Sequence, residues 1–327
     1  MSMDAWLANM KEHEDSEDRD CSQPIQTNSH NNEKTGLELS HRYDISGNFR
    51  KNYSDDEMKL WLDAADNIGV DFKNLLRVRK KTLISDAGLE FNLFFNPKRE
   101  SRPNQLEEKA EESCCNLGKE ISRWERKRDN MLDERAYGDY LVCPNLYPIC
   151  TGHVVLIQKD HNKTLVNSHD LGEMLRFGVE RGYGIWHNMK KAASTMPHDH
   201  FQAVPINFPI EKLRLESYDN DTAFIKDYPG DSKVFVGERK VSNTEAQLRR
   251  LDKVEIPYTL VIGSDSVYVI PIRIPQYKGG IGGFETALNF VAKSFDEYNN
   301  TTGNDLQARL KVVLFEPGVP AMVCRLS

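Results

Sequence analysis

The residues with the densest chemistry lie at 194–205, Ser-Thr-Met-Pro-His-Asp-His-Phe-Gln-Ala-Val-Pro. Side chains of a strand point alternately to its two faces, so an extended stretch puts His198, His200 and Gln202 on one side. Two imidazoles and one amide then converge. Ser194 and Thr195, just before them, suit a turn whose amides and hydroxyls meet a phosphate. Taken alone, a His-x-His pair reads as a metal-binding face or a chance pairing.

A second segment changes that reading. Asn145-Leu146-Tyr147-Pro148 is followed by Gly152-His153, and a helix-like stretch separates this segment from the paired histidines. In this order the two segments resemble the histidine-triad superfamily, with its Asn-x-(Phe/Tyr)-Pro-x-x-x-Gly-His segment and its His-x-His-x-(His or Gln) strand. Gln202 at the third position is similar to the transferase branch: galactose-1-phosphate uridylyltransferase, GDP-hexose phosphorylases and diadenosine tetraphosphate phosphorylases. Most hydrolases of the superfamily have histidine there. The stretch from Asp160 to Leu165 is similar to one in uridylyltransferases, and His198–Ala203 with Phe208–Lys212 is similar to GDP-hexose phosphorylases. The resemblance covers about residues 137–212 and is faint outside them.

The resemblance implies that His200 is a nucleophile. A neutral imidazole attacks well near pH 7, and a phosphoimidazole has a labile P–N bond that a second acceptor breaks. Gln202 would donate its amide to a nonbridging oxygen of the α-phosphate, a contribution worth about 3 kcal/mol in the transition state. It cannot shuttle a proton to activate water, so the intermediate would wait for phosphate or a sugar phosphate. His198 would hold the geometry, or bind a structural zinc with His161, Cys114 and Cys115. The adjacent cysteines depart from the family's Cys-x-x-Cys, and neighbouring cysteines rarely both turn toward one tetrahedral ion. Asn145 matches a position that meets the ribose or base, and Asn188 one close to the phosphates. Lys159 and His161 are candidates to face the phosphate region. The chemistry requires no cofactor; zinc, or magnesium bound with the nucleotide, is the metal to consider. A hydrolase, against which Gln202 weighs, and a non-catalytic nucleotide-binding regulator remain as alternatives.

Several elements must position these groups. Tyr140–Cys143 and His153–Gln158 read as neighbouring strands parted by Pro144, Pro148 and Gly152. A helix over about 170–181, capped by Ser168 or by His169–Asp170, precedes two further strands, 183–188 and 198–205. The sequence thus predicts an α+β fold, a mostly antiparallel sheet with helices packed on it. Strands at 258–263 and 267–272, a helix over 282–298 and strands at 311–316 and 321–326 repeat the rhythm, which suggests a degenerate second half. The expected divisions are a mobile charged tail over 1–50, a catalytic half over 51–215 and the degenerate half over 216–327. Within them a helix begins at Asp55, and 105–132 forms charged surface helices or a connector. The glycine-rich stretch Lys278–Gly283 lacks the phosphate-loop signature and reads as a loop.

Composition bounds the rest. Apolar residues make up 39% and charged residues 28% of 327, with no apolar run of membrane-spanning length. A net charge of -7 argues against a nucleic-acid or lipid partner, which would need a clustered basic surface. A small nucleotide or nucleotide sugar needs only a few donors. The first twenty residues lack a secretory signal pattern, and the 6 cysteines are too irregular for a disulfide framework. A cytoplasmic protein is expected, with a homodimer as the default assembly.

Overall fold

The structure, a computed structural model, describes residues 78–99, 136–145, 148–150, 152–160, 165–189, 199–274 and 281–318. The expected tail, the helix from Asp55, the stretch 105–132 and the strand at 321–326 lie outside the described residues.

β1 (Arg79–Ile84) and β2 (Glu90–Phe95) form an antiparallel hairpin, turned at Gly88, whose φ of +79° suits a residue without Cβ. β3 (Ala136–Tyr137), β4 (Tyr140–Pro144) and β5 (Val154–Gln158) follow as an antiparallel run. α1 (Ser168–Arg181) comes next. Its cap is Asn167 rather than Ser168 or His169–Asp170: the Asn167 side chain accepts from Asp170 N while Asp170 accepts from Asn167 N. This reciprocal pair satisfies two of the helix's unpaired amides. β6 (Gly184–Asn188) and β7 (His200–Val204) form the strands expected there.

The region from 215 to 253, for which the sequence suggested no elements, contains β8 (Leu215–Ser217), β9 (Thr222–Ile225), β10 (Lys233–Phe235) and α2 (Lys240–Lys253). β11 (Tyr258–Ile262) and β12 (Val267–Pro271) match expectation. The helix expected over 282–298 is instead α3 (Gly283–Thr286), β13 (Asn289–Ala292) and α4 (Phe295–Asn300). Leu288 takes a left-handed φ of 67°, which ends α3, and β13 then pairs in parallel with β2. Asn92 Nδ2 donates to Asn289 Oδ1 at 2.9 Å inside this pairing. The strand expected at 311–316 is also corrected. Residues through Val313 belong to α5 (Gly303–Val313), which buries Leu306, Leu310 and Val313 along one face. Tertiary burial at helical spacing overrides the local β preference of Val312 and Val313.

β1, β2 and β13 make a three-stranded sheet; the other strands make a ten-stranded sheet in the order β3-β4-β5-β7-β6-β11-β12-β10-β9-β8. Every pairing in the larger sheet is antiparallel. Its two faces have separate cores. Leu156, Ile185, Phe201, Leu260 and Val269 pack with α1 and α2 through Leu171, Met174, Leu248 and Leu251. On the other face Trp186, Val204, Val261 and Ile270 pack with Phe94, Phe284, Phe290 and Leu310 from the smaller sheet and the C-terminal helices. No helix among the described residues is long and apolar enough to cross a membrane.

Candidate active site

β7 lies between β5 and β6, and the register sets what faces what. His200 is opposite Ile157, and Gln202 is opposite both Val155 on β5 and Trp186 on β6. Paired residues share a face, so His200 and Gln202 project toward the side of the smaller sheet, and Phe201 and Ala203 toward α1 and α2. His200 is 6% exposed and Gln202 is half-buried. The strand alternation expected for these two residues is what the structure has.

The Gly152-His153 segment reaches the same face through His153, the last residue of its motif. His153 is fully buried at the entry to β5, beside Trp186, with ring centroids 5.4 Å apart. Ile149 N donates to His153 Nδ1 at 3.1 Å. That nitrogen must therefore hold the lone pair, and the ring hydrogen sits on Nε2. Nε2 is 3.2 Å from Gln202 Oε1 and donates to it. The Gln202 amide is thereby oriented, its oxygen held by His153 and its NH2 at the far end. The Asn145 amide also approaches His153 Nε2, with Nδ2 at 3.3 Å. Two donors do not face each other, so the orientation compatible with the Ile149 bond has Asn145 Oδ1 toward the ring.

The smaller sheet braces this corner. Asn96, just after β2, donates from Nδ2 to Pro148 O at 2.6 Å. Burial pushes the thiol of Cys150 in the same loop up to about 12, and the Lys80 ammonium on β1 counteracts this only in part. Cys150 is thus a packed apolar group in this loop rather than a nucleophile.

Asn188, at the end of β6, has its Oδ1 occupied by Gly283 N at 2.6 Å, which ties β6 to the start of α3. Lys159 is exposed and donates to Gly138 O at 3.0 Å, across the β3–β4 turn, so it serves that turn instead of the phosphate region. His198, His161, Ser194, Thr195, Cys114 and Cys115 lie outside the described residues. Among the described residues no group of three or more His, Cys, Asp or Glu side chains is arranged to hold a metal ion. In the sequence His153 is the last residue of the Asn-x-Tyr-Pro-x-x-x-Gly-His segment, with no role attached to it, and Trp186 is an aromatic residue in an apolar run. Neither position reveals its partner until the register is known.

Comparison with known proteins adds two findings. A family described as a domain of unknown function, DUF4922, matches residues 57–205. No curated protein matches. Among solved structures, yeast Ap4A phosphorylase Apa2 is similar at 12% identity, over 84% of this chain and 98% of that chain, with a TM-score of 0.56. Its complex with Ap4A matches at 12% identity over 80% of this chain and 96% of that chain, with a TM-score of 0.56. Its complex with AMP gives 12% identity, 84% and 99% coverage and a TM-score of 0.54. The chain therefore has the α+β fold of the yeast Ap4A phosphorylase, the fold that its resemblance to the histidine-triad transferases implied.

Proposed function

We propose that this protein is a nucleotidyltransferase of the phosphorylase type. It cleaves a nucleoside diphosphate sugar or a dinucleoside polyphosphate at the α-phosphate and passes the nucleotide to phosphate or a sugar phosphate. The observation that carries the reading is the convergence of the two motif segments, with His153 holding the Gln202 amide at 3.2 Å on the face that also bears His200. The fold of an enzyme solved with Ap4A and with AMP supports a nucleotide substrate.

In the first displacement a lone pair of His200 attacks the α-phosphorus. A P–N bond forms, and the P–O bond to the departing sugar phosphate or nucleoside polyphosphate breaks. The Gln202 NH2, turned outward by His153, donates to a nonbridging oxygen as charge builds there. In the second displacement an oxygen of the acceptor phosphate attacks, the P–N bond breaks and His200 is regenerated. His198 steadies the pair, Ser194 and Thr195 supply phosphate donors, and Asn145, Asn188 and His161 line the nucleotide. The strand order fits two side-by-side halves, β3–β7 and β8–β12, joined at β6 and β11, with the catalytic groups all in the first.

The test is acceptor dependence. GDP-, UDP- and ADP-sugars and diadenosine tetraphosphate are each incubated with the full chain, with and without phosphate, and products are separated by chromatography. A nucleoside diphosphate released only with phosphate is the expected result. Nucleoside monophosphate formed at the same rate without phosphate would make water the acceptor and the protein a hydrolase.

A further inference from the structure

The residue between the paired histidines has its own partner on the opposite face of the sheet. Asp199 Oδ1 lies 2.5 Å from His187 Nε2, with side chains 10% and 6% exposed. His187 is on β6, and its ring packs on Phe201 of β7 with centroids 4.9 Å apart. Among the described residues the two strands pair from Gly184↔Val204 to His187↔Phe201. On the other side β5 continues, through Ile157↔His200 and Gln158 N to Asp199 O at 3.3 Å. His200 follows directly on the last of these described pairs. The His187–Asp199 bond supplies a tie at that point. It comes from side chains pointing away from the reacting face, so it can fix the strand without touching substrate. Asp252 and Tyr258 stand close enough to act electrostatically on His187 and Asp199. A carboxylate so enclosed is retained only where a partner offsets its desolvation.

The geometry points to His187 and Asp199 as positioning residues that extend the β6–β7 pairing by one side-chain bond and thereby hold the His200 imidazole in its attacking position. This rests on the reading of His200 as the nucleophile, but placement of its ring can be measured without turnover. Misplacing a reacting group by about 1 Å can cost about 100-fold in rate.

The test uses the full chain as wild type, Asp199→Ala, His187→Phe, the double variant and Asp199→Asn, in which an amide oxygen can still accept from His187. In samples with ¹⁵N-labelled histidine, the His200 ring signals are assigned by their loss in His200→Gln. The signals should shift or broaden in Asp199→Ala and His187→Phe and return toward wild type in Asp199→Asn. At saturating nucleotide, the rate of nucleotidyl-enzyme formation should fall about 10- to 100-fold in each single variant, with nucleotide Kd nearly unchanged. The double variant should be no slower than the slower single one, because both lose the same bond. Should the alanine variant not fold, Asp199→Asn and His187→Phe still provide the comparison. Unchanged His200 signals in folded Asp199→Ala or His187→Phe overturn the positioning role, as do independent, multiplying rate losses. Absence of any nucleotidyl adduct on wild type instead overturns the catalytic reading, leaving the ring signals to decide the positioning.

Discussion

Replacing His153 with Phe tests how the amide of Gln202 is aimed. Phe keeps a ring beside Trp186 and fills the same apolar wall, so the cavity contribution is small. What disappears is the polar function of both ring nitrogens. Ile149 N, in a residue only 4% exposed, loses the acceptor it has at 3.1 Å, and an unsatisfied buried donor costs about 1–3 kcal/mol. Gln202 Oε1 loses its donor at 3.2 Å, a bond worth about 1 kcal/mol net, part of which water recovers because Gln202 is half-buried. The fold should therefore lose about 2–3 kcal/mol, measured by urea unfolding. Catalysis should fall as well, because the amide is free to rotate and present its oxygen to the phosphate. Deleting such a donor outright costs about 100- to 1000-fold. His153→Phe should accordingly slow nucleotidyl-enzyme formation about 10- to 100-fold, less than Gln202→Ala does. The assay is rapid-quench mass spectrometry of the adduct at saturating nucleotide, below the temperature at which either protein unfolds. A variant that loses stability but forms adduct at the wild-type rate would refute the idea that His153 orients Gln202.

Three other perturbations probe the scaffold. Tyr140→Phe removes a bond from a buried hydroxyl to Asp170 Oδ1 at 2.6 Å on the helix-covered side of the sheet; thermal unfolding should show a loss of about 1.5–3 kcal/mol with adduct formation unchanged. Gly184→Ala places a Cβ 2.6 Å from Phe208 Cζ and 2.7 Å from Ile206 O, and this overpacking should destabilise by about 1–3 kcal/mol in the same assay. Burial pushes the Asp231 carboxyl above the usual carboxylate range, against a bond from Gly318 N and the charge of Lys233. The folded chain therefore holds that proton more tightly than the unfolded one, and this group's contribution to stability declines as pH rises from the ordinary carboxylate value through the raised one. Asp231→Asn, which keeps an oxygen for Gly318 N, should be more stable than wild type at pH 7. Urea titrations should show that advantage disappearing on acidification; an advantage that grows toward acid pH would contradict the sign.

The elements around the site were legible because each has a strong local signal. Apolar runs bounded by Pro and Gly marked β4 and β5, and the alternation at 200–204 correctly placed His200 and Gln202 on one face. The α+β class followed from the order of those elements. The C-terminal region was less legible. Residues 282–298 are apolar at spacings that suit a helix, yet the segment holding Asn289 pairs with β2 nearly two hundred residues earlier, a contact no local window contains. At 311–313 the sequence Lys-Val-Val favours a strand locally, while the buried face of α5 decides for helix. The site has the same limit. The motif singles out His200 and Gln202 as candidates, but the His153–Gln202 and His187–Asp199 contacts depend on register, which pairs residues distant in sequence.

Intact-protein mass spectrometry decides whether His200 carries the nucleotide covalently. Wild type and His200→Ala are mixed with each nucleotide donor without phosphate, quenched at neutral to alkaline pH to preserve the P–N bond, and digested to locate any adduct. The expected result is the mass of one nucleoside monophosphate on wild type alone, on the peptide containing His200, discharged when phosphate or a sugar phosphate is added. An adduct of equal size on His200→Ala, or full turnover by that variant, would contradict it.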